Sequence, residues 1–287
     1  MKKAICFGIN NYPGTANDLN GCANDALDWT QLLVSKEFIV ETYLDSTVTI
    51  GSFKRHLKGL VDEAVAGDII AVTYSGHGTQ IMDYNNDEGD SYDEALYLYD
   101  GALADDDIRL ILDGLKSGVQ CFVAFDSCFS GTGTRKVRSV TGSPDSSLIF
   151  YSTTIPRYYK TDEIPFGTVK KKKKGILIPE IYISGCSDLE YSYDAFINGR
   201  YNGAYTYYAI KAFKEGVATY KDWIDKIHIY LPSTSYKQTP QLECIDENTP
   251  VFDNVAIPPV IPEKSNVYYY ILGMMVITAV LLYFIFR

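Results

Sequence analysis

The absences in this sequence narrow it first. Its six cysteines, Cys6, Cys22, Cys121, Cys128, Cys186 and Cys244, include no pair at C-x-x-C spacing. That argues against a zinc-ribbon site or a thioredoxin-type motif. No secretory leader is visible: Met1-Lys2-Lys3 runs into a strand-length apolar stretch and then the turn Asn10-Asn11-Tyr12-Pro13-Gly14. A reducing compartment with free thiols is therefore expected. Positive charge is not in excess. The formal net charge is −10, which argues against a general nucleic-acid binder, because phosphate affinity needs clustered cations. Histidine is scarce, with only His56, His77 and His228. No internal repeat is apparent.

The 287 residues, 46% of them hydrophobic, suffice for one large domain with a sizeable core. Short apolar runs at Lys2–Ile9, Phe38–Leu44, Ile69–Tyr74, Cys121–Phe125, Leu148–Ser152 and Ile181–Ser184 read as strands. Apolar residues at helical spacing fill Asp18–Glu37, Ile50–Val65, Asp105–Leu115, Gly203–Phe213 and Tyr220–Leu231, and Gln238–Cys244 reads as an edge element. Strands alternating with helices predict an α/β fold: a mainly parallel six-stranded sheet with helices on both faces. Near the other end, Val267–Phe286 is twenty residues without a charge, entered through Tyr268, Tyr269 and Tyr270. That length and aromatic entry predict one transmembrane helix at 267–286. A proline-rich linker at 253–266 precedes it. The expectation is a membrane-anchored, monomeric protein with its folded domain (1–252) facing the cytosol.

The chemistry gathers at two strand ends. Ile69–Tyr74 runs into Ser75-Gly76-His77-Gly78, and Cys121–Phe125 runs into Asp126-Ser127-Cys128. In open α/β sheets ligands sit outside the carboxyl ends of strands. If the two strands are parallel neighbours, His77 and Cys128 leave the same edge. A thiolate is a nucleophile, and a neighbouring imidazole takes its proton. Glycines on both sides of His77 allow close approach of a substrate chain and leave N–H groups free for an oxyanion. Read alone, Cys128 is equally a small buried hydrophobe.

Further motifs extend the pattern. Y-S-G-H-G at 74–78, D-S-C-F-S-G at 126–131, L-N-G-C-A-N-D-A at 19–26, D-E-A-L at 93–96, D-D-D-I at 105–108, I-S-G-C-S-D at 183–188 and G-A-Y-T-Y at 203–207 occur in that set along the chain. Together, over roughly residues 2–245, the chain resembles the metacaspase branch of the caspase-like cysteine peptidases. The resemblance implies a caspase-like three-layer sandwich, with a large-subunit-like part (1–153), an intersubunit loop (154–175) and a small-subunit-like part (176–252). It implies endopeptidase activity on protein or peptide substrates, with His77 and Cys128 as catalytic dyad and the backbone N–H groups of Gly78 and Cys128 as oxyanion donors. It also implies a primary pocket lined by Cys22, Asp25, Ser75 and Asp126. Two carboxylates beside the nucleophile favour a cationic residue, hence cleavage after Lys or Arg. Without the resemblance, Asp25 reads as a helix first-turn residue favoured by the macrodipole.

Ca²⁺ as an activator is a further implication, with Asp93, Asp105 and Asp106 as ligands. The fourth acidic ligand expected after the cysteine is absent, and Arg135 stands there. Asp83, Asn85, Asp87 and Glu94 fall on EF-hand spacing, but Glu88 holds the glycine position. Lys170, Lys171, Lys172, Lys173 and Lys174 form a charge run in the long loop. It reads as solvated, as nuclear targeting, as an anionic-lipid contact or, given a cation-preferring pocket, as a self-processing site. Two other functions compete. Tyrosine phosphatases use C-x-x-x-x-x-R, which Cys128 and Arg135 miss by one residue. A non-catalytic, membrane-anchored interaction module would need neither His77 nor Cys128.

Overall fold

Three strands with apolar residues on successive positions set the layers: β1 (Lys2–Gly8), β3 (Ile69–Ser75) and β7 (Gln120–Asp126). Successive side chains of a strand point to opposite faces. Ile5, Phe7, Ile70, Val72, Tyr74, Cys121, Val123 and Phe125 enter one core, and Ala4, Cys6, Ile69, Ala71, Phe122 and Ala124 enter the other. Burial on both faces explains why these segments read as unbroken apolar runs. The structure is a computed structural model, and it describes residues 1–14, 16–82, 92–128, 155–159, 180–187 and 190–253.

β2 (Ile39–Leu44) flanks β1, β9 (Ile181–Ser184) flanks β7, and β12 (Gln241–Glu243) closes the far edge. The order is β12-β9-β7-β3-β1-β2, with every pairing parallel except β12 on β9. The first core lies under α2 (Ile50–Glu63) and α3 (Asp105–Leu112). The second lies under α1 (Cys22–Ser35), α4 (Ala204–Lys214) and α5 (Tyr220–Tyr230). α2 starts in a capping box in which the Thr49 hydroxyl accepts from Ser52 N–H and the Ser52 hydroxyl accepts from Thr49 N–H. It then buries Phe53, Leu57, Leu60 and Val61 as one stripe. The three-layer α/β architecture is therefore present.

Several details differ from the sequence expectation. The sixth place in the sheet belongs to β12, and the strand expected at Leu148–Ser152 lies outside the described residues. Two small antiparallel sheets were not expected. One is β4 (Gly78–Met82), β5 (Tyr92–Leu98) and β6 (Gly101–Ala104). The other joins β10 (Tyr193–Ile197) and β11 (Arg200–Gly203) to the two-residue β8 (Ile155–Pro156). Five of these six strands have only two to five residues, too little length for a period-2 pattern to register, and the seven-residue β5 carries Asp93 and Glu94 in its first half. The Asn198-Gly199 turn between β10 and β11, with φ of 52° and 83°, is nevertheless a readable hairpin signal. Among the described residues no helix is long and apolar enough to cross a membrane. The expected span at 267–286 lies outside them, as do Arg135 and Lys170–Lys174.

Candidate active site

β3 and β7 end side by side, with Ser75 opposite Asp126 in register. His77 and Cys128 therefore leave the same sheet edge, and both are buried. The His77 main-chain N–H donates to the Tyr12 hydroxyl at 2.8 Å, and its carbonyl accepts from Tyr74 OH and Tyr97 N–H at 2.9 Å. Its Nε2 lies 2.7 Å from the Asn17 carbonyl oxygen. A carbonyl can only accept, so Nε2 carries the proton. Nδ1 is buried and has no hydrogen-bond partner. Burial pushes the imidazole down to about 4, against a rise from the Asn17 contact, so the ring is neutral at pH 7. The Cys128 sulfur rests on the main chain of Ser192, accepting its N–H at 2.6 Å and lying 3.2 Å from its carbonyl oxygen.

A short piece of the same chain, 155–159, runs between these two residues. The Arg157 carbonyl oxygen accepts from Gly78 N–H at 2.9 Å and from Cys128 N–H at 3.2 Å. Its own N–H donates to the Ser192 carbonyl at 3.0 Å, and β8 just before it pairs with β10. Beyond it, Tyr159 N–H donates to the Gly78 carbonyl and the Thr79 hydroxyl donates to the Tyr159 carbonyl, each at 2.8 Å. The segment is thus added as an extended strand, bonded to β10 on one side of Arg157 and to β4 on the other. Gly78 has no room for a side chain, because a Cβ there would overlap the Cys128 carbonyl.

The Arg157 side chain fills a closed acidic pocket and is fully buried. Nη2 lies 2.8 Å from Asp25 Oδ2 and 3.1 Å from Asp194 Oδ1. Nη1 donates to Ser75 Oγ at 2.7 Å and lies 3.2 Å from Asp126 Oδ1. Each carboxylate is also held by the fold. Asp25, in the first turn of α1, accepts from Gly203 N–H, the Asn202 amide and Ser75 Oγ. Asp126 accepts the N–H and hydroxyl of Thr206 at the start of α4, where the helix dipole favours an anion, and the Ser192 hydroxyl. Asp194 accepts from the N–H groups of Asn20 and Gly21. These donors offset the cost of burying charge. Three carboxylates still face one guanidinium. Burial, with Asp126 adding, pushes the Asp25 carboxyl up to about 6 even though Arg157 opposes the rise. Burial likewise drives the Cys22 thiol well up; Cys22 lies beside Arg157 and the Ser75 hydroxyl. The guanidinium is held charged by the acids around it.

The structure brings His77, Gly78, Cys128, Cys22, Asp25, Ser75 and Asp126 into one site. Sequence reasoning missed Asp194, Ser192, Gly203 and Arg157. Asp194 and Gly203 face each other across the β10–β11 hairpin, so its Asn-Gly turn was a signal for both, and Gly203 also opens the G-A-Y-T-Y motif. The cation sites are different. Asp105 and Asp106 sit in the first turn of α3, and Asp93 lies in β5. Among the described residues no group of three or more His, Cys, Asp or Glu could hold a metal ion. The Asp83–Asp87 part of the EF-hand-like loop lies outside the described residues.

Comparison with known proteins agrees with this geometry. The caspase domain family (Peptidase_C14) matches residues 1–251. Metacaspase-1 of Schizosaccharomyces pombe is 28% identical over 85% of this chain and 67% of its own length. Metacaspase-1 of Coccidioides immitis is 30% identical over 85% of this chain and 61% of its own length. The chain thus spans about three fifths to two thirds of these relatives. Among solved structures, protein GSU0716 from Geobacter sulfurreducens aligns with a TM-score of 0.62 at 26% identity, covering 84% of this chain and 92% of that one. Caspase-1 from Spodoptera frugiperda shares the fold, with a TM-score of 0.57 at 12% identity over 90% of this chain and 91% of that one. With its sheet, its paired strand ends and a family match across the whole described domain, the chain belongs to the caspase-domain cysteine peptidases, in their metacaspase branch.

Proposed function

We propose that this protein is a cysteine endopeptidase that cuts after Arg or Lys, using Cys128 as nucleophile and His77 as general base. One observation carries the reading: Arg157 lies as a substrate residue would, its carbonyl oxygen between two N–H donors and its guanidinium among three carboxylates. His77, fixed as the Nε2–H tautomer by Asn17, has Nδ1 free to take the thiol proton. The thiolate adds to the carbonyl carbon, and the Gly78 and Cys128 N–H groups stabilise the oxyanion. His77 returns the proton to the leaving amine. Water then releases the acyl group. A fluorogenic peptide ending in Arg or Lys, tested with wild type and Cys128→Ala, checks this. Absence of turnover by wild type, with or without Ca²⁺, refutes it.

Self-processing follows from the same pose, and it moves from the lysine run to the Arg157–Tyr158 bond. A fragment beginning at Tyr158, present in wild type and missing in Cys128→Ala, is the expected product in intact-mass analysis. Cuts confined to 161–175 would return the site to Lys170–Lys174. The Ca²⁺ arm tests the activator role proposed for Asp93, Asp105 and Asp106. The membrane anchor at 267–286 is proposed on sequence alone, and resistance of the full chain to alkaline extraction from membranes checks it.

A further inference from the structure

The segment 155–159 is recognised beyond its arginine. Along an extended chain side chains alternate, so Tyr159 projects on the same side as Arg157, two residues further on. There its ring stacks on Tyr97, with centroids 3.5 Å apart and planes at 8°. His77 meets it edge-on at 6.0 Å, and Tyr12 lies tilted at 6.5 Å. Three aromatic rings thus bound one position, adjoining the proposed general base. Tyr97 is a fixed platform: its N–H donates to the His77 carbonyl and its own carbonyl accepts from Tyr74 OH, both at 2.9 Å. The chain carrying Tyr159 is held by hydrogen bonds to Gly78 and Thr79 on both sides of the residue.

We infer that Tyr97, walled by Tyr12 and His77, forms a second specificity site that selects an aromatic residue at the second position after the cut. The inference rests on the proposed function and adds a substrate class: segments of the form Arg (or Lys), any residue, then Tyr, Phe or Trp. The edge contact with His77, at 69°, is of the kind that adds to simple area burial; Tyr97 supplies a flat apolar platform, and the ordered main chain lets a ring settle there with little further loss of freedom. The site also places an aromatic wall against His77, which shields the base from water while substrate is bound.

The test uses the full chain and internally quenched peptides built on Ile-Pro-Arg-Tyr-X, with X as Tyr, Phe, Trp, Leu or Ala. The expected kcat/KM is about 3- to 10-fold higher for aromatic X than for Ala, the range of measured aromatic pairs. The aromatic-to-Ala ratio falls to near one in Tyr97→Leu and is kept in Tyr97→Phe. Because both substrates meet the same enzyme preparation, the ratio is independent of how much of a variant folds. A flat series in wild type overturns the inference, as does a ratio that survives Tyr97→Leu. A fluorogenic Arg peptide with no residue after the cut separates the two readings. If wild type does not cleave it, the proposed function fails. If it is cleaved while X has no effect, only the second specificity site fails.

Discussion

Replacing Asp25 with Asn keeps the pocket's shape and removes one of its three negative charges. Asp25 Oδ2 lies 2.8 Å from Arg157 Nη2, with both side chains fully buried. A hydrogen bond to a charged group is worth about 1.5–3 kcal/mol, so kcat/KM for an arginine peptide should fall roughly 10- to 150-fold. The low end is favoured, because Asp126 and Asp194 remain beside the guanidinium. The informative assay compares arginine with citrulline, which keeps the shape and loses the charge. Wild type should prefer arginine strongly, and Asp25→Asn should narrow that preference. The pH dependence gives an independent check of sign. The Asp25 carboxyl is pushed up to about 6 by burial, while Arg157 opposes the rise. As pH falls through about 6 the carboxyl takes up a proton, the pocket loses an anion, and KM for arginine rises. In the empty pocket the opposing cation is gone, so this limb begins at or above that pH. The limb is absent in Asp25→Asn. An unchanged arginine-to-citrulline ratio, or an acid limb that persists in the variant, would refute the electrostatic account of the pocket.

Other expectations follow from the same geometry. Gly78→Ala puts a Cβ into the Cys128 carbonyl; the shift this forces misaligns the Gly78 N–H and should lower kcat by up to about 100-fold, the scale of losing one oxyanion donor, measured with the fluorogenic Arg peptide. Gly203→Ala places a methyl against Asp126 and the Arg157 guanidinium, so KM for arginine should rise while a small neutral residue at that position is less affected. Tyr12→Phe strips the acceptor from the buried His77 N–H and should cost about 1–3 kcal/mol, read as a lower urea midpoint with an unchanged slope.

Much of the sheet was legible because its strands are long and buried on both faces. Ile69–Ser75 and Gln120–Asp126 carry unbroken apolar runs, and α2 announces itself by Phe53, Leu57, Leu60 and Val61 after Thr49. The three-stranded sheets escaped because all their strands but β5 are short, and β5 mixes acidic and apolar residues. The pocket was half legible. Asp25, Ser75 and Asp126 lie next to recognisable motifs, whereas Asp194 lies in a stretch whose only sign is the Asn-Gly turn four residues on. Arg157 carries no local signal that sets it apart from any other loop cation, and the denser charge of the same loop lies at Lys170–Lys174.

Sequence by itself determined that two apolar runs end just before His77, between glycines, and just before Cys128, two residues after an acid, because composition and glycine's backbone freedom are local properties. As pocket carboxylates, Asp25 and Asp126 came into view only through the family resemblance, since Asp25 alone reads as a helix first-turn residue. Tertiary structure alone decided which strands are neighbours, since register between β3 and β7 is a pairing across 51 residues. It decided that Asp194, over 160 residues from Asp25 in the chain, completes the pocket. Above all it decided that Arg157 fills that pocket and Tyr159 stacks on Tyr97, because only the folded chain can present a segment of itself to its own site.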